Sequence, residues 1–99
     1  MENVYPVFFT ITDTAILIEV PDLEILTEGK DMADAIEMAR DAIELKCVSM
    51  EDDKMEIPQP SSLEALDINI GTFTDEGRTV ISLVDIDSKE YRRKIATDY

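Results

Sequence analysis

The sequence has 99 residues, which is the size of one domain, and 44% of them are apolar. It contains 23 Asp and Glu against 9 Lys and Arg, so its formal net charge is −14, which disfavours nucleic acid and anionic membranes as partners and favours a basic one. It has no His and one cysteine, Cys47, which excludes the commonest acid–base catalyst, an internal disulfide and a multi-cysteine metal site.

Three β-strands are predicted in the first 30 residues. Val4 to Thr12 is rich in β-branched and aromatic residues, and Ala15 to Val20 follows after the turn signal Asp13-Thr14. The short spacing predicts an antiparallel hairpin. Leu23 to Glu28 supplies a third, short strand before Gly29. One face of the hairpin is expected to be apolar, with Val7, Phe9, Ile11, Ile16, Ile18 and Val20.

The clearest element is an amphipathic helix over Asp31 to Met50, with Asp31 as its N-cap. An apolar stripe on this helix, which includes Cys47 as a buried thiol, is expected to pack on the sheet. The pairs Lys30–Asp34 and Arg40–Glu44 are four residues apart and are expected to interact. The opposite side of the helix is polar and carries Asp34, Glu37, Arg40, Asp41 and Glu44.

The second half of the chain begins with an extended connector, Pro58 to Ser62, in which Ser61 or Ser62 is expected to cap a short helical turn through Leu66. Arg78 to Asp87 is predicted as a fourth strand, with Val80, Ser82, Val84 and Ile86 on one face and Ile81, Leu83 and Asp85 on the other. A short helix from Ser88 to about Lys94 follows, capped by Ser88 or Asp87.

These elements predict an α+β fold: a three- to four-stranded, mostly antiparallel sheet, one long amphipathic helix packed on it and a short C-terminal helix. Residues 1–99 are expected to form a single domain. One sheet face is expected to stay open, with Leu17, Ile81 and Leu83 on it or under the last helix, so we predict a homodimer or homotetramer.

The search for catalytic chemistry gives only a weak candidate. Asp13, Glu19, Asp85 and Asp87 lie near predicted strand ends and could be read as a metal-dependent nuclease site, but 23 acidic residues in 99 place some there by chance. No phosphate-binding glycine loop occurs, and the basic run Tyr91 to Lys94 is interpreted as a solvated helix. We therefore name no catalytic, metal or cofactor-binding residue.

The ordered set of motifs resembles the HicB-like antitoxin family. The matching segments, which span nearly the whole chain, are Tyr5-Pro6-Val7, Pro21-Asp22-Leu23, Gly29 to Ala42, Pro58-Gln59-Pro60-Ser61, and Val84 to Lys94.

The resemblance implies a truncated ribonuclease-H-like fold, β-β-β-α-β, without catalytic carboxylates. It also implies a non-enzymatic protein that neutralises HicA, a small basic mRNA-cleaving toxin. Glu24-Ile25-Leu26 departs from the family pattern, which puts the third strand in doubt. Only 12 residues follow Asp87, so we expect no C-terminal DNA-binding domain.

The leading hypothesis is therefore a HicB-like antitoxin that binds a basic HicA-like toxin. The surface acids Asp34, Glu37, Asp41 and Glu44 are the candidate contact residues. The alternatives are a solitary self-associating domain without a toxin, and a ribonuclease-H-like protein that binds or processes nucleic acid. No stretch has the about 18 apolar residues of a membrane span and no signal peptide is evident, so a cytoplasmic protein is expected.

Overall fold

A computed structural model describes residues 2–98 of the chain. Four β-strands and two α-helices alternate with four short 3₁₀ turns. The regular elements are β1 (Glu2–Ile11), β2 (Ile16–Val20), β3 (Ile25–Gly29), α1 (Met32–Asp52), β4 (Arg78–Asp87) and α2 (Ser88–Asp98). The 3₁₀ turns are Pro21–Leu23, Leu63–Ala65, Ile68–Ile70 and Thr74–Glu76. Within the described range, neither helix has the length and apolarity needed to cross a bilayer.

The strands form one antiparallel sheet in the order β3-β2-β1-β4, which confirms the predicted α+β architecture. β1 lies in the centre and pairs along its whole length with β4, from Glu2 opposite Asp87 to Ile11 opposite Arg78. Because β1 and β2 are joined by a tight turn, they form the predicted hairpin. The sheet therefore has two edges, β3 and β4.

The third strand begins later than its sequence suggested. Pro21–Leu23 forms a 3₁₀ turn, and Glu24 follows in the left-handed backbone region with a φ of 55°. This turn takes up the residues between the two strands, so β3 starts at Ile25 rather than Leu23. Of the three residues at which the sequence departs from the family pattern, Glu24 ends this turn, and Ile25 and Leu26 begin β3.

The hydrophobic core lies between the sheet and α1. Alternate residues of β1 and β2 point toward the helix, as predicted, and the apolar stripe of α1 packs against them. Gly29 makes the closest approach, because a Cβ placed on it would lie 2.6 Å from the Cα of Ala35. The core residues are Tyr5, Val7, Phe9, Ile16, Ile18, Val20, Leu23, Ala35, Ala39, Ile43, Cys47, Val84 and Ile86. Cys47 is a free, buried thiol, as predicted.

The second sheet face is covered in part by the long connection between α1 and β4. On this face Glu19 accepts the backbone N–H and the hydroxyl of Thr72, both at 2.8 Å; on the helix side, the hydroxyl of Tyr5 donates to the carbonyl of Pro58 at 2.7 Å. Gly71 lies against the ring of Phe8, which is buried. This face is therefore less open than predicted, although Leu83 remains 53% exposed.

The expected serine cap in this connection is replaced by a tertiary contact. The turn Leu63–Ala65 starts after Ser62, whose side chain makes no capping hydrogen bond. Ser61 instead donates its backbone N–H and its hydroxyl to the carboxylate of Asp22, at 2.8 and 2.5 Å. The connector is therefore tied to the turn after β2.

The C-terminal helix is longer than predicted and is attached to α1. The guanidinium of Arg92 binds the carboxylates of Glu51 and Asp52 at 3.3 and 3.0 Å, and Arg93 pairs with Glu90. These acids neutralise part of the basic run Tyr91 to Lys94 within the chain itself.

Candidate partner-binding site

An open groove of about 720 Å³ lies where the end of β4, the middle of α1 and the start of α2 meet. We call it the acidic groove, because four of its lining residues are carboxylates and one is a cation. Its lining residues are Asn3, Val4, Arg40, Glu44, Asp85, Ile86, Asp87 and Glu90. The groove combines residues that are far apart in sequence, since the antiparallel pairing places the start of β1 beside the end of β4.

Arg40 fixes one side of the groove. Its Nε donates to the backbone carbonyl of Asp85 at 3.1 Å, and its Nη2 to the Asp85 carboxylate at 2.9 Å. Its Nη1 donates to Glu37 at 3.2 Å. The hydrogen bond from Arg40 holds the pKa of Asp85 below its usual value. Arg40 therefore connects α1 to the edge strand and keeps Asp85 ionised.

Glu44 fixes the floor of the groove. It is half-buried, and its Oε2 accepts the backbone N–H of Asp87 at 3.2 Å. Burial raises its pKa, although the hydrogen bond from Asp87 and the charge of Arg40 oppose this effect. Arg40 and Glu44 thus each bind β4, and the ion pair that their spacing suggested is replaced by these contacts.

Asp87 ends β4 and begins α2. Its Oδ1 accepts the backbone N–H groups of Lys89 and Glu90, at 2.9 and 3.4 Å, which confirms it as the cap of this helix. The cap places Glu90 in the first turn of α2, where it lines the groove and its carboxylate pairs with Arg93. The negative charge here is therefore held on rigid elements.

The four acids predicted as contact residues do not form one cluster. The Asp34 carboxylate accepts the backbone N–H of Lys30 at 2.8 Å, and the Asp34 backbone N–H donates to the N-cap Asp31 at 2.8 Å. Asp34 therefore stabilises the start of α1, away from the groove. Glu44 lines the groove, Glu37 adjoins it through Arg40, and Asp41 is exposed.

The charged groove residues outside the predicted contact set are Arg40, Asp85, Asp87 and Glu90. Two of them carried a signal, since Asp85 and Asp87 are two residues apart on one strand, but that spacing was weighed as a nuclease motif. Their partners on α1 and α2 come from packing, which the spacing alone does not reveal.

The weak nuclease candidate is not supported by the positions of its residues. Asp13 lies in the turn between β1 and β2, Glu19 holds Thr72, and Asp85 is bound by Arg40. In the part of the chain that the structure describes, no three Asp, Glu, Cys or His side chains are grouped so that they could hold a metal ion.

Residues 5–97 match the sequence model of the HicB-like antitoxin of bacterial toxin–antitoxin systems. The chain belongs to this family. The resemblance inferred from the ordered motifs is thereby confirmed. No curated protein sequence matches the chain.

Solved structures with a similar fold include chains of two toxin–antitoxin complexes. A chain of a toxin–antitoxin complex from Streptococcus pneumoniae is 26% identical, with a TM-score of 0.78 over 92% of this chain and 73% of that one. A chain of the HicA3 and HicB3 toxin–antitoxin complex superposes with a TM-score of 0.66 over 85% of this chain and 98% of that one. At 22% identity, the second likeness shows the fold alone.

Proposed function

We propose that this HicB-like protein is a non-enzymatic antitoxin that binds a small basic toxin of the HicA type and neutralises it. Family membership supports an antitoxin role. The observation that carries the choice of partner is the acidic groove, whose fixed carboxylates lie on a chain with a net charge of −14. Such a surface attracts a basic protein and raises its rate of association.

The groove is suited to basic side chains in particular. Glu44, Asp87 and Glu90 line the groove from three elements, and a Lys or Arg entering it would meet the carboxylates of Glu44 and Asp87, which hydrogen bonds hold in place. A bound cation would also favour the ionised form of Glu44, whose pKa burial raises. Affinity gained this way requires little ordering of side chains on binding.

The two alternative functions are direct nucleic-acid binding and self-association without a toxin. Direct nucleic-acid binding would place phosphates against a strongly acidic chain, which is unfavourable. Self-association is compatible with the antitoxin role, and we propose it as well, in a cytoplasmic protein whose residues 1–99 form one domain. A solitary protein without a toxin would self-associate and would have no partner for the acidic groove.

The test is co-expression with the short basic reading frame that a toxin–antitoxin pair places beside its gene. We expect the two products to co-purify, and their affinity to fall steeply between 50 and 500 mM NaCl as the charges are screened. Cleavage of RNA by the toxin is expected to stop at equimolar antitoxin. Clean failure to bind at micromolar protein and low salt would refute the proposal.

A charge-matched pair of variants locates the surface. Glu37→Lys with Asp41→Lys reverses two charges next to the groove, and Asp75→Lys with Glu76→Lys makes the same change in net charge in the turn before β4. The first is expected to weaken toxin binding by about tenfold or more, and the second much less. Equal losses in both would mean that overall charge, and not the groove, determines binding.

A further inference from the structure

Two apolar side chains are exposed on the sheet beside the acidic groove. Val4 is 43% and Leu83 53% exposed. In the pairing of β1 with β4, Val4 lies opposite Asp85 and Leu83 lies opposite Pro6, so Val4 and Leu83 are diagonal neighbours on one face, about 7 Å apart. We call these two residues the apolar patch. Val4 also lines the acidic groove, so the patch and the groove form one continuous surface.

The apolar patch lies on the sheet face that α1 does not cover. Side chains alternate along a strand, so Val4 and Phe8 of β1 share this face with Leu83 of β4. The connection between α1 and β4 covers Phe8, whose ring lies against Gly71 and which is buried. It leaves Val4 and Leu83 in contact with solvent. Single exposed apolar residues are common on protein surfaces, but an apolar patch that continues into a charged groove is typical of an interaction site.

Carboxylates adjoin the apolar patch on its groove side. Asp85 follows Leu83 by two residues on the same face, and its side chain is 80% exposed. Asp87 and Glu44 lie beyond it in the groove. Any protein that covers the patch brings its own surface close to these acids. A second copy of this chain, with a net charge of −14, would be repelled, whereas a basic protein would be attracted. The charge around the patch therefore favours a basic protein as its occupant.

The backbone at this end of β4 is already hydrogen-bonded to α1. Arg40 Nε donates to the carbonyl of Asp85 at 3.1 Å, and Glu44 accepts the N–H of Asp87 at 3.2 Å. A strand added to the sheet beside Asp85 and Asp87 would need these same backbone groups. A partner is therefore recognised here by its side chains, on the face that carries the apolar patch, and not by strand addition.

We propose that the apolar patch is the hydrophobic centre of the toxin-binding surface, and that it receives an apolar side chain flanked by Lys or Arg residues of the toxin. The apolar side chain covers Val4 and Leu83, and the neighbouring basic side chains reach Asp87 and Glu44 in the groove. In protein interfaces a few buried apolar contacts supply most of the affinity, while charges around them guide association. This inference rests on the proposed function and adds the chemistry of the partner's contact surface.

The two parts of this surface are expected to respond differently to salt. Salt screens the attraction between the groove carboxylates and a basic partner. The apolar patch carries no charge, so its contribution is not screened. A substitution in the patch should therefore weaken binding by the same factor at 50 and at 500 mM NaCl. The charge reversal Glu37→Lys with Asp41→Lys, which lies next to the groove, should weaken binding most at 50 mM NaCl.

A matched pair of leucines tests the patch. Leu83 and Leu26 are 53% and 55% exposed on the same sheet face, at its opposite edges β4 and β3. Threonine removes most of the apolar side chain and keeps a high β-strand propensity. The probe is the product of the adjacent basic reading frame, titrated by calorimetry. Leu83→Thr should weaken its binding about tenfold at both salt concentrations, and Leu26→Thr less than about twofold.

Val4→Thr is the second variant, and it replaces one methyl group with a hydroxyl at an exposed position. It should weaken binding about threefold. Because its shape is almost unchanged, it tests the patch even if Leu83→Thr loses stability. Thermal denaturation followed by circular dichroism checks that all three variants are folded at the temperature of the titration.

Three results would overturn the inference: unchanged affinity in both Leu83→Thr and Val4→Thr, an equal loss in Leu26→Thr, or a loss in Leu83→Thr that disappears at 500 mM NaCl. A dimer that Leu83→Thr dissociates in sedimentation, with toxin binding unchanged, would assign the patch to a second copy and would also overturn it. In all these cases the parent chain still binds the toxin, so the proposed function stands. If the parent chain does not bind, the proposed function and this inference fail together.

Discussion

The contact between Gly29 and α1 gives a prediction whose size follows from the structure. A Cβ at Gly29 would lie 2.6 Å from the Cα of Ala35 and 2.7 Å from its backbone N. Ordinary contact begins near 3.4 Å, so the first turns of the helix would have to move by about 0.8 Å in a close-packed interior. Gly29→Ala is therefore expected to overpack this junction.

The expected cost combines two terms. Overpacking of this kind costs about 1–3 kcal/mol. Gly29 does not have a positive φ, so alanine recovers about 0.4–1 kcal/mol by restricting the unfolded chain. The net loss of about 1–2 kcal/mol corresponds to a fall in Tm of about 5–15 °C for a chain of this size, measured by thermal denaturation followed by circular dichroism.

Gly71→Ala is the control for this substitution. Its Cβ would meet the Thr74 hydroxyl at 2.7 Å and the Phe8 ring at 3.0 Å, which are side-chain atoms that can shift more easily than a helix backbone. A smaller fall in Tm is expected. An unchanged or higher Tm for Gly29→Ala, or a larger fall for Gly71→Ala, would refute the reasoning.

Three further predictions concern polar contacts. Burial raises the pKa of Tyr5 from 10.0 to about 12, so its stabilising contribution is complete below pH 10 and is lost as pH rises through about 12; Tyr5→Phe should lose about 1 kcal/mol at neutral pH and flatten the dependence of the urea midpoint on pH above 10. Asp22→Ala frees both Ser61 groups and should cost about 1.5–3 kcal/mol, with faster amide hydrogen exchange around residues 58–62. The Asp85 carboxyl, whose pKa Arg40 lowers, should titrate by NMR below 3.8 and return toward that value in Arg40→Ala; the same pKa in both proteins would contradict the assigned contact.

The elements of the fold were largely predictable because they rest on local patterns. Alternating apolar residues predicted β1 and β2, and the three- and four-residue spacing predicted α1. Arg78–Asp87 was placed with its observed bounds, since a β-branched run lies between Gly77 and the cap Asp87. The start of β3 was missed because the left-handed Glu24 is not a residue that signals a turn strongly.

The path of the connection between α1 and β4 was not predictable in the same way. Its contacts join residues 39 to 53 positions apart, such as Ser61 with Asp22 and Thr72 with Glu19. Polar side chains of this kind have no periodic pattern, so the sequence does not indicate which sheet face they will cover. The burial of Phe8 follows from that path.

By itself, the sequence determined the charge of the protein, its element order and its family, because composition, periodicity and motif order are properties of the chain. Only the tertiary structure decided which acids act together. Asp34 accepts a backbone hydrogen bond at the start of α1. Asp85, Asp87 and Glu90 line the groove together with Glu44. The attachment of α1 to the end of β4 was likewise decided by packing, because Arg40 and Glu44 bind Asp85 and Asp87 from a helix about 45 residues away in sequence.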